Sequence, residues 1–298
     1  MTFVIALNIR ELVIIEGEEE RGEQRAGRNV RPALHQVFAT PWGAEGFTMN
    51  YTFTDKTSVG EIVAHHPETR RVFELFGIDY CCSGSTTLED AVARRGVPLD
   101  ALRSALDDAI RATPAQPVER NWLDASLSEL VDFIEETHHM FLKQEMPRLY
   151  GLFIKVLQAN GSQHGEILVP LEEIFELLKA EIELHVFKEE HILFPYIRKA
   201  ELYAEGRGPK PEFHLPSLES PVRQMQYEHD DADVALRRMR QITSNYTLPK
   251  DASEDFRALY DGLQAVEDDI HQHVHLENNI LFPRALELER SHAVSSKQ

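Results

Sequence analysis

His185-Val-Phe-Lys-Glu-Glu-His-Ile-Leu-Phe-Pro195 and His273-Val-His-Leu-Glu-Asn-Asn-Ile-Leu-Phe-Pro283 are two copies of one phrase, His-Val-x-x-Glu-x-x-Ile-Leu-Phe-Pro, set 88 residues apart. Each copy falls late in a long stretch of helical apolar spacing. The stretch before each also holds a histidine: His139 precedes His185 by 46 residues, and His229 precedes His273 by 44. An internal repeat of this kind predicts two copies of one helical hairpin. Local signals set the helix boundaries. The first helix opens at the capping box Ser126-x-x-Glu129 and runs to Asn160-Gly161, with Pro147 expected to kink or break it. The second runs from near Pro170 to about Ala200. The third follows Ser220-Pro221 and ends near Asn245, and the fourth follows Ser253 and ends near Arg290. Four long helices over residues 123–290, with short to medium connections, predict an all-α fold built on an up-down four-helix bundle.

The repeat also predicts chemistry. A histidine and a glutamate four residues apart share one helix face, one turn apart. One such pair is an ordinary pair on a helix surface. Two of them, each with the same Ile-Leu-Phe-Pro downstream and a matching histidine upstream, read as a metal site. His185 with Glu189, His273 with Glu277, and the single His139 and His229 give four imidazoles and two carboxylates. Two octahedral ions would share the carboxylates as bridges, take the imidazoles terminally and keep positions open for a small ligand such as O2 or NO. This is a nitrogen-richer relative of the Glu plus Glu-x-x-His arrangement of ferritin-like bundles. Imidazole and carboxylate without thiolate suit iron best, with manganese and zinc as rivals.

The same repeat sorts the other histidines. His191 aligns with Asn279 and His275 with Phe187, while His271 stands about 200° around the helix from His273. These three are expected to be solvated or to lie behind a ligand. His164 and His214 fall in connections. Between His138 and His139 the repeat leaves the choice open, because neighbours on a helix point about 100° apart. Two further carboxylates are candidates for relaying protons or holding a ligand ring: Glu181, one turn before His185, and Glu228, beside His229. Plain surface roles are the alternative for both.

Residues 51–113 read as a small helical domain. Ser58 with Glu61 and Thr87 with Asp90 mark helix starts, Gly77 stops a helix, and Pro98 opens another. Its loop carries the only two cysteines of the chain, adjacent at Cys81 and Cys82. Vicinal thiols can exchange electrons, bind a soft metal transiently or close a strained disulfide; the alternative is two small side chains filling a tight turn. Residues 114–122 read as a linker and 291–298 as a tail. Residues 1–50 hold no sustained period and read as a flexible extension, with Met49 as an alternative start.

Composition narrows the class. The chain has 298 residues, a formal net charge of −19 and 42% hydrophobic residues, enough apolar content for a real core. The acidic balance argues against nucleic acid as a partner. Two adjacent cysteines exclude a disulfide framework and a four-cysteine zinc site. No apolar run reaches the length of a membrane span, and the N-terminus lacks the order of a signal peptide, so a cytoplasmic protein is expected.

Taken together, these motifs resemble a known family. The bundle is similar to the hemerythrin-like di-iron domains. Residues 56–290 as a whole resemble the iron–sulfur cluster repair di-iron proteins, also called regulators of cell morphogenesis and nitric-oxide signalling. The resemblance rests on Ser58-Val-Gly-Glu-Ile-Val63, Gly77-Ile-Asp-Tyr-Cys-Cys-Ser-Gly84 with Leu88, Glu228-His-Asp230, and His273-x-x-x-Glu-Asn-Asn-x-Leu-Phe-Pro283. It implies two iron ions held by His139, His185, Glu189, His229, His273 and Glu277, with the glutamates bridging. The alignment through Met146-Pro-Arg-Leu149 selects His139 over His138. It further implies a homodimer, damaged iron–sulfur proteins as partners, and NO or O2 as small ligands. The implied function is repair of clusters damaged by nitrosative or oxidative stress, by iron donation or by NO reduction, with Cys81 and Cys82 in electron supply or iron transfer. The alternative is a non-catalytic O2 or NO sensor or carrier of hemerythrin type. Two departures stand out: Ser83 precedes Gly84, where the family has glycine directly after the cysteines, and residues 1–48 have no counterpart.

Overall fold

The structure, a computed structural model, describes residues 52–112, 120–211 and 217–295. The extension 1–50, the start at Met49, most of the 114–122 linker and His214 lie outside the described residues. Helices dominate, and among the described residues the only β-type pairing is a single bridge between Ser58 and Thr87.

The N-terminal unit comprises α1 (Val59–His65), α2 (Arg70–Leu75), α3 (Leu88–Arg95) and α4 (Leu99–Ala112). Ser58 Oγ accepts from the Glu61 N–H, and Thr87 Oγ1 from the Asp90 N–H, so both helices start where the sequence places them. Gly77 and Gly96 end their helices with φ of 66° and 67°, a left-handed turn that glycine takes without steric cost. Val59, Ile62, Phe73, Tyr80, Leu88 and Leu102 then bury one face, and they join a core shared with the bundle. A unit of this size buries too little apolar surface alone, and the bundle supplies the rest.

The bundle contains α5 (Leu127–Phe133), α6 (Met140–Lys188), α7 (Phe194–Ala204), α8 (Glu219–Ile242), α9 (Glu254–Leu276) and α10 (Phe282–Ser295). The 49 residues of α6 are two bundle helices joined at His164, the one residue in it with non-helical backbone angles. Fifty residues of straight helix would span about 75 Å, yet His139 and Glu189 lie 3.3 Å apart, so the chain reverses at His164. The expected stop at Asn160-Gly161 is therefore corrected by a few residues. The His164 ring bonds Asp251 and meets the Phe256 ring edge-on, which anchors the corner. Pro147 neither kinks nor breaks its helix. Met146 and Leu149 beside it are buried, and this packing outweighs one lost backbone bond.

Three short π-helical turns interrupt the bundle helices: Ile134–His139, Glu189–Leu193 and Glu277–Leu281. The last two occupy the same place in the repeat. In each, the residue before the proline reaches back five residues, from Phe194 N–H to the Glu189 carbonyl and from Phe282 N–H to the Glu277 carbonyl. Pro195 and Pro283 have no N–H to continue an α-helical ladder, and the wider turn accommodates them.

The third helix starts at Glu219, not after Ser220, because its cap is tertiary: the Glu289 carboxylate of α10 accepts from the Leu218 N–H at 3.0–3.1 Å. Glu201 of α7 does the same for α5, accepting from the N–H groups of Leu127 and Ser128 at 2.6 and 2.9 Å. Glu201 and Glu289 are 88 residues apart, so the repeat extends beyond its shared phrase. The last helix continues to Ser295, into the segment expected to be a tail. No helix among the described residues is long and apolar enough to cross a membrane.

Candidate metal centre

The repeat phrases meet in the bundle interior. His139 closes the first π-turn, while Glu189 and Glu277 open the other two, one helical turn after His185 and His273. His229 comes from α8. All six side chains are buried, none more than 3% exposed. They form two overlapping four-donor groups: His139, Glu189, His273 and Glu277, and His185, Glu189, His229 and Glu277. Glu189 Oε2 lies 3.3 Å from both His139 Nε2 and His185 Nε2. Glu277 divides its oxygens, with Oε1 3.0 Å from His273 Nε2 and Oε2 3.1 Å from His229 Nε2. Each carboxylate therefore belongs to both groups.

This arrangement calls for a cation. Neither oxygen of Glu189 or Glu277 has a hydrogen-bond partner, although all four are buried. His139 and His273 face each other Nε2 to Nε2 at 3.2 Å, and His185 and His229 at 3.1 Å. Two hydrogens cannot fit in either gap, so at least one lone pair per pair faces inward. Lone pairs and carboxylates crowded into one dry space repel unless positive charge lies between them. Burial pushes the His185 ring down, but Glu189, Glu228 and Glu277 reverse this and lift it to about 10. Burial also opposes ionisation of Glu277, and His273 and His229 overcome it, holding the carboxyl well below its usual range. Protons or metal ions must supply the compensating charge, and the nitrogen and oxygen donor set fits iron-type ions.

The outer nitrogens fix the rings. Nδ1 of His139 bonds Glu190 at 3.0 Å, Nδ1 of His185 bonds Glu228 at 2.9 Å, and Nδ1 of His229 bonds Asn278 at 3.1 Å. Such partners set ring orientation and leave Nε2 for a metal. Lys143 ties down Glu190, while Lys188 and Gln224 tie down Glu228. Phe194 stacks on His139 and Phe282 on His229, again one repeat apart.

The other candidates fall into place around this centre. His138 turns away and bonds Asp269 at 2.8 Å, so His139 is the one brought into the cluster. Glu228 stands behind His185 rather than beside the donor cluster. Glu181 is exposed and belongs to neither group. His191 is exposed and bonds the Phe187 carbonyl. His275, expected to be solvated or behind a ligand, instead lies buried under the cysteine loop. Burial drives its pKa down to about 4, against a hydrogen bond to the Tyr80 backbone. Asn278 and Asn279 belong to the motif that carries the family resemblance but had no role assigned from it, and Glu190 had no signal beyond its place next to Glu189.

Cys81 and Cys82 lie over the second hairpin as free thiols, their sulfurs 3.8 Å apart. Asp79 shapes the loop by accepting from the N–H groups of Cys81, Cys82 and Ser83 at 2.9–3.1 Å. Cys81 is buried, and its thiol is held well above its usual pKa by the Cys82 contact and by burial. Cys82 Sγ reaches the His229 carbonyl at 3.8 Å.

Comparison with known proteins agrees with this layout. Residues 129–285 match the hemerythrin HHE cation binding domain. Residues 55–110 match the ScdA_N domain, described as a domain of unknown function. The chain is 35% identical over 237 residues to the iron–sulfur cluster repair protein YtfE of Edwardsiella ictaluri, covering 79% of this chain and 98% of that one. It is 32% identical over 228 residues to the YtfE of an Enterobacter species, covering 76% and 96%. The same identity over 231 residues relates it to a probable iron–sulfur cluster repair protein of Haemophilus influenzae, again covering 76% and 96%. With two buried His/Glu donor groups in a bundle that matches the hemerythrin HHE cation binding domain, and a dithiol loop docked over them, this chain belongs to the family of the iron–sulfur cluster repair protein YtfE.

Proposed function

We propose that this chain repairs damaged iron–sulfur clusters through a dinuclear iron centre held by His139, His185, Glu189, His229, His273 and Glu277. The observation that carries this reading is the sharing of Glu189 and Glu277 between two four-donor groups, with all their oxygens buried and unbonded. Each half has two imidazoles and a share of two carboxylates, fewer donors than an octahedral ion takes. Iron bound there would supply ferrous ion for an apo-cluster and open positions for NO or O2. The protein's own part is to hold the rings by their Nδ1 atoms, to exclude water with Phe194 and Phe282, and to neutralise charge with the two buried carboxylates. Glu228 holds the ring of His185 and offers a carboxylate for proton exchange at its Nδ1. Cys81 and Cys82, free and close together, supply electrons or receive iron in this reading.

The test is anaerobic loading with ferrous iron, followed by metal counting and Mössbauer spectroscopy. Two irons per chain with a spin-coupled spectrum are expected. Fewer than two irons in fully loaded protein, or uncoupled iron, would overturn the reading. His273→Ala is expected to lose at least one iron, and full occupancy in that variant would remove His273 from the set. Transfer of iron to an apo-cluster protein, measured beside N2O release from added NO, separates donation from NO reduction.

A further inference from the structure

The two hairpins are copies, but they differ at the positions that meet the cysteine loop. Glu190 in the first corresponds to Asn278 in the second, His191 to Asn279, and Phe187 to His275. In both hairpins the residue after the shared glutamate holds the Nδ1 of the histidine on the preceding helix. Glu190 does so as a carboxylate tied to Lys143. Asn278 does so as a neutral amide that also grips the cysteine loop, since its Nδ2 donates to the Cys81 carbonyl at 3.5 Å. Asn279 donates to the same carbonyl at 3.2 Å, to the Tyr80 carbonyl at 3.2 Å, and lies 3.1 Å from His275 Nδ1. On the first hairpin the corresponding face is an open cavity of about 220 Å³, lined by Leu142, Met146, Phe187 and Glu190 among others. The dithiol is therefore wired, through Asn278, to the ring of His229 and not to that of His139.

The wired atom is the informative one. The Cys81 carbonyl belongs to the peptide bond between the two cysteines, which lies inside the ring that a disulfide would close. Adjacent Cα atoms stand about 3.8 Å apart, short of the usual disulfide range of about 4.4–6.8 Å. Closing that ring strains this peptide, and a rotation that relieves the strain moves the carbonyl held by Asn278 and Asn279. Cys82 moves as well, and its sulfur touches the His229 carbonyl.

We propose that Asn278 couples the oxidation state of Cys81 and Cys82 to His229, so that disulfide formation loosens the metal position of His185 and His229 and spares that of His139 and His273. The proposal rests on the dinuclear reading above. The step is thiol–disulfide exchange with a low-molecular-weight disulfide. The partly exposed Cys82 sulfur attacks the reagent, breaking its S–S bond and releasing one thiol. Cys81 then displaces the second thiol as the Cys81–Cys82 bond forms. Two protein thiols and one disulfide become one protein disulfide and two small thiols. The two protein thiol protons pass to the departing thiolates.

The experiment follows iron release from the full-length, diferrous protein to a ferrous chelator, anaerobically, before and after oxidised glutathione, with thiol titration to verify the disulfide. One iron per chain is expected to leave at least tenfold faster after oxidation, while the other keeps its rate, and dithiothreitol should restore both. Asn278→Glu places the first hairpin's residue in the second, where it can hold His229 but cannot donate to Cys81; its release is expected to be indifferent to oxidation. A Cys81→Ser/Cys82→Ser variant, which leaves Asn278 in place, should be equally indifferent. Loading of fewer than two irons would overturn the dinuclear reading and this coupling with it. Full loading with release unchanged by a verified disulfide would overturn the coupling alone. So would an oxidation response that persists in either variant, or equal acceleration of both irons.

Discussion

At the scale of single residues, the centre is organised from behind. Each of three imidazoles is gripped at Nδ1 by a different group, Glu190, Glu228 or Asn278. A carboxylate raises ring basicity and a neutral amide does so less. The four rings are thus not equivalent, although their inward faces are nearly so. The cysteine loop depends on equally fine contacts. Gly60 and Gly84 approach Asn279 so closely that a Cβ on either would overlap its amide. Gly84→Ala is expected to push Asn279 off the loop carbonyls and to destabilise the fold by about 1–3 kcal/mol. Denaturant unfolding would measure this, and a stability within about 0.5 kcal/mol of the parent would show that the close approach is dispensable.

Among the elements, the repeat is a device for placing groups at helix ends as well as in the interior. Glu201 and Glu289 each cap the opening helix of their own hairpin from its closing helix. An acid at a helix N-terminus satisfies free N–H groups and meets the favourable end of the helix dipole. Glu201→Ala and Glu289→Ala are each expected to cost about 1–2 kcal/mol, measured by thermal unfolding of the metal-free protein. The two effects should add, since the caps lie on separate hairpins. Clear non-additivity would mean that the hairpin ends are coupled. The two π-turns of the repeat phrase belong to the same scale. They sit where Glu189 and Glu277 enter the centre, immediately before the prolines that prevent an ordinary helical ladder.

For the whole molecule, the dinuclear reading proposed above makes metal content and stability one property, because Glu189 and Glu277 are buried. A metal that binds only the folded chain stabilises it by about 2.7 kcal/mol at a free concentration one hundred times its Kd. Removal of metal by a chelator at neutral pH is therefore expected to lower the midpoint of thermal unfolding, and re-addition of ferrous ion to restore it. An unchanged midpoint would mean that protons on the imidazoles neutralise Glu189 and Glu277 as well as metal does. The N-terminal unit should unfold with the bundle in one transition, because Ile62, Phe73, Tyr80 and Leu102 share a continuous core with Ala232, Leu236, Ile270 and Val274. Two separate calorimetric transitions would contradict that.

Local order along the chain determined much of this protein. Helix geometry alone puts His185 on the face of Glu189 and His273 on that of Glu277. The 88-residue repeat then makes the two hairpins legible, along with the histidines that precede each phrase. The caps at Ser58, Thr87, Ser126 and Ser253 could be read for the same reason, since each involves atoms three residues apart. Tertiary structure decided what depends on neighbours far away in the chain. It turned His139 inward and His138 toward Asp269, buried His275 beneath Tyr80, and left Glu181 in solvent. It moved the start of α8 to meet Glu289. It also set Asn278 between His229 and Cys81, 49 and 197 residues distant. Periodicity tells which face a side chain occupies, but the partner it meets across the bundle is fixed only when the helices pack.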